Sequence, residues 1–519
     1  MNILLVNPPT LYRGQTVDDL IRIGLSTAAI PYYASILATD TSKVRGHSTL
    51  PGEHLGLQSL QASLREAGHH VELLNACVEL HTSLNQTLIQ IGQHHFELIG
   101  FTGPLDVFAE NVWLARTLRE SGYTGHITLG HDFATLNHWP ILSLYPEFDS
   151  VVRGEGELTM LELAAALEQK RPLASIRGLS FRDQAGRVVA NPSRPALDLN
   201  QLAWVTRVDL PKVLDLKMAP SIYTKRGCLY QCAFCTTGQV PLAEGLHGRE
   251  RWRQRSPKRV VDEIESLTSQ YDIEQITIVD DLYVSKGLVG ADHALGIAEE
   301  LLSRQLVIDY MVDCRVDSIE RNTFMVLKKS GLRKVFVGVE SASEVTLSSF
   351  RKGYKPEIIR SKLKILEELE IECVLGYIFF NPVDTLKGVR QSYQLVRDLN
   401  YHDFGVFLQA VRIYPGTTLY RELEQLGLID GAFPYYTARY LDPSVGRLRD
   451  LMGEFGKLAG PILATAYASG GHEEVTRKAQ LYELISVYLA TLLECLECND
   501  ESGVEVTFER MVGEFRTLI

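Results

Sequence analysis

The sequence predicts an α/β protein with a doubly wound N-terminal domain, a central partial (β/α)6 barrel and a helical C-terminal domain. Apolar strand-like runs alternate with helical patterns within 1–168, and six further strand and helix units lie within 216–430. The segment 431–519 is apolar at helical spacing. Between the two sheet domains, 169–215 is rich in turn residues and predicts a linker with a β-hairpin. A chain of 519 residues is long enough for roughly three such domains.

The N-terminal strands are predicted from apolar runs, and their carboxyl ends form the first candidate site. These runs are 2–7, 70–75, 98–103, 126–131 and 150–154, with helical patterns such as 57–67 and 106–121 between them. Doubly wound sheets bind ligands beyond the carboxyl ends of their strands, where glycines let a bulky ligand approach the backbone. The candidate residues there are Asn7, Pro8, Pro9, Thr102, Gly103, Gly130, His131, Gly154, Glu155, Gly156 and Glu157. The alternative is a generic nucleotide-binding or receiver-like sheet, against which the first turn lacks GxGxxG.

The barrel is predicted from six units whose strands end in polar residues. The predicted strands are 221–224, 275–280, 309–314, 334–339, 372–380 and 404–412, with helices such as 291–304 and 356–370 between them. Chemistry is expected at the carboxyl ends of such strands. The polar residues there are Asp280, Asp281, Arg315, Glu340 and Ser341. Carboxylates can hold amino or hydroxyl groups, and an arginine suits a carboxylate, although capping and ion pairing at the barrel end is the alternative.

The most specific motif is a loop with three cysteines directly after the first barrel strand. Cys228, Cys232 and Cys235 have the spacing CxxxCxxC. An iron-sulfur cubane normally takes four thiolates, so a loop that supplies three leaves one iron open to a reacting ligand. The alternative is a structural zinc knuckle, which needs four ligands and usually pairs its cysteines as CxxC. The sequence therefore predicts that these three cysteines hold a 4Fe-4S cluster.

This loop resembles that of the radical S-adenosylmethionine superfamily, in which the open iron binds S-adenosylmethionine. Phe234 matches the aromatic residue that the family places before its third cysteine. The strand ends resemble the family's DD, R-x-D and G-x-E-S elements, which implies that they lie near bound S-adenosylmethionine. The residues matched in this way are Asp280, Asp281, Arg315, Glu340 and Ser341. The family's GGE element is absent from 279–281, and its PGE element is absent from 380–385.

The N-terminal sheet resembles the Rossmann-like cobalamin-binding domain that is fused to many radical S-adenosylmethionine enzymes. That domain typically opens with a VNPP-like strand end and closes with a GEGE element, matched by Val6 to Pro9 and by Gly154 to Glu157. Many cobalamin proteins supply a histidine to cobalt from a DxHxxG motif, which this chain lacks. The resemblance therefore implies cobalamin bound without that histidine, with His131 near the corrin edge or the nucleotide tail.

Together the two resemblances imply a cobalamin-dependent radical S-adenosylmethionine methyltransferase acting on an unactivated carbon of a small molecule, as in natural-product biosynthesis. In this family one S-adenosylmethionine methylates cobalamin, and a second yields a 5'-deoxyadenosyl radical that removes a substrate hydrogen. The alternative keeps both cofactors but performs a cyclisation, ring contraction or oxidation. A methylthiotransferase is disfavoured because only Cys77 precedes the loop. A non-enzymatic cobalamin or redox sensor would not need the barrel.

Composition narrows the partners and the location. A net charge of −12 weighs against nucleic acid as a partner. No apolar run reaches the ~18 residues that span a membrane, and no leader precedes the first strand, so we expect a cytoplasmic enzyme. The expected partners are a small-molecule substrate and an electron donor such as flavodoxin or ferredoxin. Oligomeric state is not predicted.

Three further features carry weaker expectations. The basic run 249–259 is interpreted as a solvated approach to a helix, or as a receiver of an anionic substrate group. Cys495 and Cys498 form a CxxC pair without a second pair, so a second metal site is not expected. Among the other cysteines, Cys314 is the one expected to face the pocket.

Overall fold

The computed structural model describes residues 1–9, 52–79, 84–401, 403–468 and 472–518. Its N-terminal part is organised on a seven-stranded sheet in the order β2-β1-β3-β4-β5-β6-β7. The strands are β1 (Asn2–Asn7), β2 (His70–Asn75), β3 (Leu98–Thr102), β4 (His126–Gly130), β5 (Ser150–Val152), β6 (Leu179–Arg182) and β7 (Val188–Ala190). The first five are parallel, as predicted, whereas β6 and β7 join antiparallel. The hairpin predicted in the linker therefore extends this sheet.

Helices cover both faces of the N-terminal sheet, which explains why its strands are apolar throughout. They are α1 (Leu55–Glu66), α2 (Leu84–Ile91), α3 (Phe108–Glu120), α4 (Asp132–Leu136), α5 (His138–Leu144) and α6 (Glu157–Glu168). Leu4 and Val6 of β1 pack in one core with Phe108, whereas Ile3 and Leu5 pack in a second core on the opposite face. Because successive side chains of a strand point to opposite faces, each face needs its own apolar set.

The central part has a second sheet of five parallel strands in the order β14-β13-β12-β11-β8. They are β8 (Ser221–Ile222), β11 (Gln275–Ile278), β12 (Asp309–Arg315), β13 (Leu332–Glu340) and β14 (Glu372–Tyr377). A separate antiparallel pair, β9 (Lys225–Gly227) with β10 (Trp252–Gln254), follows β8. The helices in this part are α7 (Leu210–Asp215), α8 (Val240–Ala243), α9 (Pro257–Gln270), α10 (Leu288–Ser303), α11 (Arg321–Lys329), α12 (Glu344–Ser349), α13 (Ile358–Glu368), α14 (Leu386–Asp398) and α15 (Thr418–Gln425).

The sixth predicted strand, 404–412, differs from the prediction. Its first part is the 3-10 helix Phe404–Leu408, which Asp403 caps by accepting a hydrogen bond from the Gly405 amide. Only Ala410 continues the barrel order, through one parallel bridge to Phe380. The apolar pattern that predicted a strand serves a different contact, because Phe407 stacks on the helical residue Tyr482 with ring centres 5.8 Å apart.

The C-terminal part is helical after a short hairpin, β15 (Ile429–Ala432) with β16 (Tyr435–Ala438). Its helices are α16 (Pro443–Ala468), α17 (His472–Glu497) and α18 (Glu501–Leu518), and they share one core with the barrel. The predicted fold class, with its doubly wound, barrel and helical parts, is confirmed. No helix among the described residues combines the length and apolarity needed to cross a bilayer.

Candidate active site

The cysteine loop leaves a short hairpin whose geometry requires a glycine. Gly227 ends β9 with a φ of +83°, and a Cβ atom there would lie 2.1 Å from the carbonyl oxygen of Arg251 beside β10. The side chain of Arg251 turns back to the loop and donates from Nη2 to the carbonyl oxygens of Cys228 (3.4 Å) and Tyr230 (3.1 Å). The first cysteine is thus fixed from both sides of the hairpin.

The far end of the loop is anchored on the barrel. The Ala233 amide donates to the carbonyl of Phe350 (3.0 Å), and the Leu419 amide donates to the carbonyl of Ala233 (2.8 Å). Phe234, the predicted aromatic residue, packs on Phe350 with ring centres 4.7 Å apart. The role of Phe234 in the structure is therefore to hold the loop against the barrel.

The three cysteines have the environment of thiolate ligands. Burial raises the pKa of Cys228 to about 11 and that of Cys235 to about 12. Hydrogen bonds from the Tyr230 amide and the Thr237 hydroxyl act in the opposite direction. Bound metal deprotonates such thiols.

Cys232 accepts a hydrogen bond from Arg315 Nη1 at 3.5 Å, so each of the three sulfurs faces one donor. The described residues contain no group of three or more His, Cys, Asp or Glu side chains arranged around a single metal ion. A cubane takes one thiolate on each of several irons, so its ligands need not surround a single ion, and the loop supplies three thiols. The residues present therefore fit a 4Fe-4S cluster.

Arg315 belongs to the cysteine loop more than to an open ligand pocket. Its guanidinium lies 3.8 Å from the ring centre of Tyr230, and Nε donates to Asp317 Oδ1 at 2.9 Å. Nη2 donates to the carbonyl of Lys352. Since Nη1 is directed at Cys232 as well, groups of the protein contact the guanidinium on several sides. The sequence did not reveal these contacts.

The other strand-end residues divide into two kinds. Ser341 and Asp280 are buried and serve the frame: Ser341 Oγ lies 3.0 Å from Ser392 Oγ, and Asp280 accepts from the amides of Thr224 (2.6 Å) and Lys225 (3.0 Å). These contacts correspond to the alternative of capping and pairing at the barrel end. They are not contacts to an open pocket.

Asp281 and Glu340 lie beside the loop instead. Asp281 is exposed and accepts a hydrogen bond from the Thr237 hydroxyl at 2.9 Å. Glu340 has a φ of +63° and accepts from Lys352 Nζ at 2.9 Å, while Lys352 lies 5.9 Å from the ring centre of Phe234. Both carboxylates are therefore near the cysteines.

A large cleft lies between the N-terminal sheet and the barrel, with a cavity volume of about 390 Å³. Of the residues predicted at the strand ends, eight line it: Thr102, Gly130, His131, Gly154, Glu155, Gly156, Glu157 and Asp281. At Gly130 and Gly154, a Cβ atom would have one heavy-atom neighbour each, at 3.7 and 3.5 Å, so these glycines leave room for a ligand. Ligand sites are commonly about 300 to 1000 Å³, and the volume of this cleft lies within that range.

Four of the residues predicted at the strand ends of the N-terminal sheet do not line the cleft within the described part of the chain. Asn7 donates to Asn75 Oδ1 at 2.9 Å, and the Pro8 carbonyl accepts from Cys77 Sγ at 3.5 Å; Pro9 is buried beside them. At Gly103 a Cβ atom would lie 2.7 Å from the side chain of Leu129, so this glycine serves close packing.

His54 is a cleft residue that the sequence analysis missed. Its Nδ1 accepts from the Leu57 amide at 3.2 Å and so caps α1, which leaves Nε2 to donate to Thr102 Oγ1 at 3.2 Å. Burial, followed by the nearby His131, lowers the pKa of His54 to about 4. The imidazole is therefore neutral, with both nitrogens in use. The available signal was the position of His54 directly before an apolar helical pattern. A histidine there is not readily recognised as a cap, because Ser, Thr, Asp and Asn are the usual cap residues.

The two domains are joined at the cleft by four charged side chains, which we call the interdomain ion cluster: Glu155, Glu157, Arg226 and Arg253. Arg226 Nη1 lies 3.1 Å from Glu155 Oε1, and Nη2 lies 2.6 Å from Glu157 Oε1. Arg253 Nη1 lies 2.6 Å from Glu155 Oε2. Burial raises the pKa of Glu157, but Arg226 outweighs it and holds that pKa below its ordinary value. The sequence pattern predicts both glutamates at the ligand, but it does not indicate their partners Arg226 and Arg253.

The basic run was interpreted as solvated, and this is wrong for three of its members. Arg251 holds the cysteine loop, Arg253 joins the interdomain ion cluster, and Arg255, which is buried, pairs with Glu263 at 2.6 Å. Ser256 caps the helix α9 that follows, because its Oγ accepts a hydrogen bond from the Arg259 amide at 3.3 Å.

Three of the remaining cysteines lie in the barrel core and near the end of a C-terminal helix. Cys314 was expected to face the pocket, but it is buried in the barrel core because alternation on β12 turns it inward. Cys495 and Cys498 lie at the end of α17, and among the described residues they belong to no group that could hold a metal ion.

We predict that Gly227→Ala reduces the iron and sulfide bound after reconstitution several-fold, because the added Cβ displaces the hairpin that carries Cys228. Iron and sulfide per chain are measured after anaerobic reconstitution. Gly245→Ala is the control: its φ is +74° but nothing lies within 4 Å of a Cβ there, so it adds only backbone strain of about 1 kcal/mol. Equal losses in the two variants would contradict this account.

We predict that His54 makes the cobalamin-free protein sensitive to acid. Its folded pKa of about 4 lies below the ordinary 6.5, so its stabilisation is complete above about pH 6.5 and is lost as the pH falls toward 4. At pH 5 the loss is about 2 kcal/mol. His54→Asn keeps a cap acceptor but does not titrate, so its melting temperature should fall less between pH 7 and pH 5. Equal falls in both proteins would contradict the prediction.

Comparisons with known proteins agree with this architecture. Residues 42–164 match the B12 binding domain, and residues 222–396 match the radical SAM superfamily. An uncharacterised methyltransferase of Pyrococcus horikoshii, PH0819, is 28% identical over 74% of this chain and 81% of its own length. An anaerobic magnesium-protoporphyrin IX monomethyl ester cyclase of Synechocystis is 28% identical over 69% of this chain and 70% of its own length.

A solved structure has the same fold. The cobalamin-dependent S-adenosylmethionine radical enzyme OxsB, with aqua-cobalamin and S-adenosylmethionine bound, superposes with a TM-score of 0.73 at 19% identity, over 99% of this chain and 75% of its own. Along the chain, the match to the B12 binding domain precedes the match to the radical SAM superfamily. In the same way, the strand ends that line the cleft precede the cysteine loop. The chain therefore contains a B12 binding domain followed by a radical SAM domain, and it has the fold of a cobalamin-dependent S-adenosylmethionine radical enzyme.

Proposed function

We propose that this enzyme transfers a methyl group to an unactivated carbon of a small molecule, as in natural-product biosynthesis. The observation that carries the proposal is that one cleft reaches both cofactor sites. Thr237 and Asp281 line the cleft, and both act on the sulfur of Cys235. A substrate held there would lie between the two reactive groups, and such positioning supplies much of the catalysis of a two-cofactor reaction.

The cluster would be held by Cys228, Cys232 and Cys235. Arg315 would donate to the thiolate of Cys232, and such hydrogen bonds to cluster sulfurs tune reduction potential. Asp281 and Glu340, beside the loop, would hold the amino or ribose groups of S-adenosylmethionine by accepting hydrogen bonds. Asp280, Ser341 and Phe234 would support these residues without touching the ligand.

Cobalamin would lie in the cleft, against Gly130, Gly154 and Gly156. His54 Nε2 would donate a hydrogen bond to Thr102, and Nδ1 would accept one from the Leu57 amide. Because both nitrogens are in use, His54 would not ligate cobalt. His131 would face the corrin edge or the nucleotide tail. When bound, the cluster supplies an electron that cleaves S-adenosylmethionine and cobalamin supplies a methyl carrier. The chain's own part is to orient these groups and to exclude water between them.

A second candidate function keeps the same site but transfers no methyl group. The Synechocystis relative is named as a cyclase and the Pyrococcus relative as a methyltransferase, at equal identity. A cyclisation, ring contraction or oxidation would use the same cysteines and the same cleft. The outcome depends on where the substrate carbon lies relative to cobalt.

The reaction needs a reductant in addition to its substrate. We propose flavodoxin or ferredoxin as the donor and the cytoplasm as the location. All eight cysteines are free, which suits a reducing compartment, and the cluster cysteines are partly accessible to a donor.

We predict that the reconstituted enzyme, given methyl-labelled S-adenosylmethionine and a library of candidate small molecules, places label in the product. The other products should be 5'-deoxyadenosine and S-adenosylhomocysteine, measured by mass spectrometry. An altered but unlabelled substrate together with 5'-deoxyadenosine would move the assignment to the second candidate.

The variant that tests the loop is Cys232→Ala, and its matched control is Cys373→Ala. We expect it to abolish 5'-deoxyadenosine formation, because a cluster with only two protein thiolates is not held. Cys373→Ala, which removes a barrel cysteine outside the loop, should retain it. Formation of 5'-deoxyadenosine by Cys232→Ala would contradict the assignment of the cluster to this loop.

A further inference from the structure

The interdomain ion cluster lines the cleft, and one of its members is close to the cysteine loop in sequence. Arg226 is two residues before Cys228, while its carboxylate partners lie in the cobalamin-binding domain: Glu157 is the first residue of α6, and Glu155 is two residues earlier. Gly227, between Arg226 and Cys228, is in close contact with the Arg251 carbonyl oxygen, which would lie 2.1 Å from a Cβ atom there. Only this closely packed glycine separates Arg226 from the first cysteine.

The same side chains form part of the wall of the cleft. Glu155, Glu157, Arg226 and Arg253 all line it, and the side chains of Arg226 and Glu155 remain 21% and 18% exposed. A ligand that fills the cleft covers these exposed atoms and removes water from them. Coulomb attraction between ions strengthens as the surrounding dielectric falls.

Glu155, Glu157 and Arg226 each have a further contact that holds the side chain in place. Glu157 Oε1 accepts from Ser59 Oγ at 2.8 Å, and Glu155 Oε2 accepts from the Leu197 amide at 3.1 Å. On the barrel side, the guanidinium of Arg226 lies 5.0 Å from the ring centre of Tyr223. A change in the pairing is therefore passed to the backbone of each domain instead of being absorbed by loose side chains.

We propose that Arg226 is a positioning residue that couples the two cofactor sites. Occupation of the cleft by cobalamin tightens the interdomain ion cluster and thereby fixes the cysteine loop. Because coupling between two binding sites is reciprocal, an assembled iron-sulfur cluster in turn raises the affinity for cobalamin. This inference goes beyond the proposed function, since it holds whether or not a methyl group is transferred.

The test measures binding, with no turnover. Hydroxocobalamin is titrated anaerobically into the full chain with and without a reconstituted cluster, and the dissociation constant is followed by quenching of tryptophan fluorescence. We expect the cluster to tighten binding about fivefold or more, within the usual range of coupling between sites. In the reverse direction, hydroxocobalamin should change the Mössbauer spectrum of the oxidised cluster, a state that transfers no electron to the cobalt.

Arg226→Lys keeps the charge but cannot contact both carboxylates in the planar geometry of a guanidinium. We expect the affinity ratio to fall to about one and the spectral change to disappear, while each cofactor alone still binds. Glu157→Gln keeps the shape and the acceptor for Ser59, and we expect a reduced ratio. It also provides a readout if Arg226→Lys does not fold.

Asp106→Asn is the matched control. It removes another interdomain pair, in which Arg412 Nη1 donates to Asp106 Oδ1 at 2.7 Å, and neither residue is among those that line the cleft. Its ratio should equal that of the unmodified protein. A ratio of one in the unmodified protein, an undiminished ratio in both Arg226→Lys and Glu157→Gln, or an equal loss in Asp106→Asn would overturn the proposal.

Discussion

The contact of Arg226 with Glu155 and Glu157 is the interaction on which the arrangement of the two domains depends. It joins the start of α6 in the N-terminal domain to the strand that leads into the cysteine loop. Removing one partner of a fully buried ion pair costs about 3 to 5 kcal/mol, and the cost here is smaller because the side chains of Arg226 and Glu155 are 21% and 18% exposed. The domains are therefore held in one relative position at the point where their sites meet.

This fixed position explains why so many residues around the loop are used as supports. Arg251 holds the carbonyls at the start of the loop, and Phe234 holds its end against Phe350. Asp280 binds the amides of Thr224 and Lys225, just before the hairpin. A site that brings two reactive groups to one substrate gains from such preorganisation, because misplacement by about 1 Å can cost a large part of the rate.

The fold class, the cysteine loop and the glycines of the cleft could be predicted because each has a local pattern: apolar periodicity, a fixed spacing, or glycine at a strand end. The roles of Asp280, Ser341 and Glu155 could not, because a strand-end residue can turn toward a ligand or toward a neighbouring strand. That choice depends on partners far away in sequence, as Arg226 is for Glu155. The strand predicted at 404–412 fails for a related reason, since its apolar pattern matches contacts with α17 as well as a strand.

The pairing of charges also decides what the cleft presents to a ligand. Arg153 pairs with Glu244 at 3.4 Å, and the interdomain ion cluster pairs its own members, so the cleft offers charges that are already compensated. A ligand with a net charge would have to compete with these pairs, at a desolvation cost for each ion. A large group with many neutral amide arms, such as a corrin, can instead form hydrogen bonds to the outer oxygens and nitrogens while leaving every pair intact. A neutral polar ligand would therefore leave these pairs intact, and Gly130 and Gly154 leave room for it.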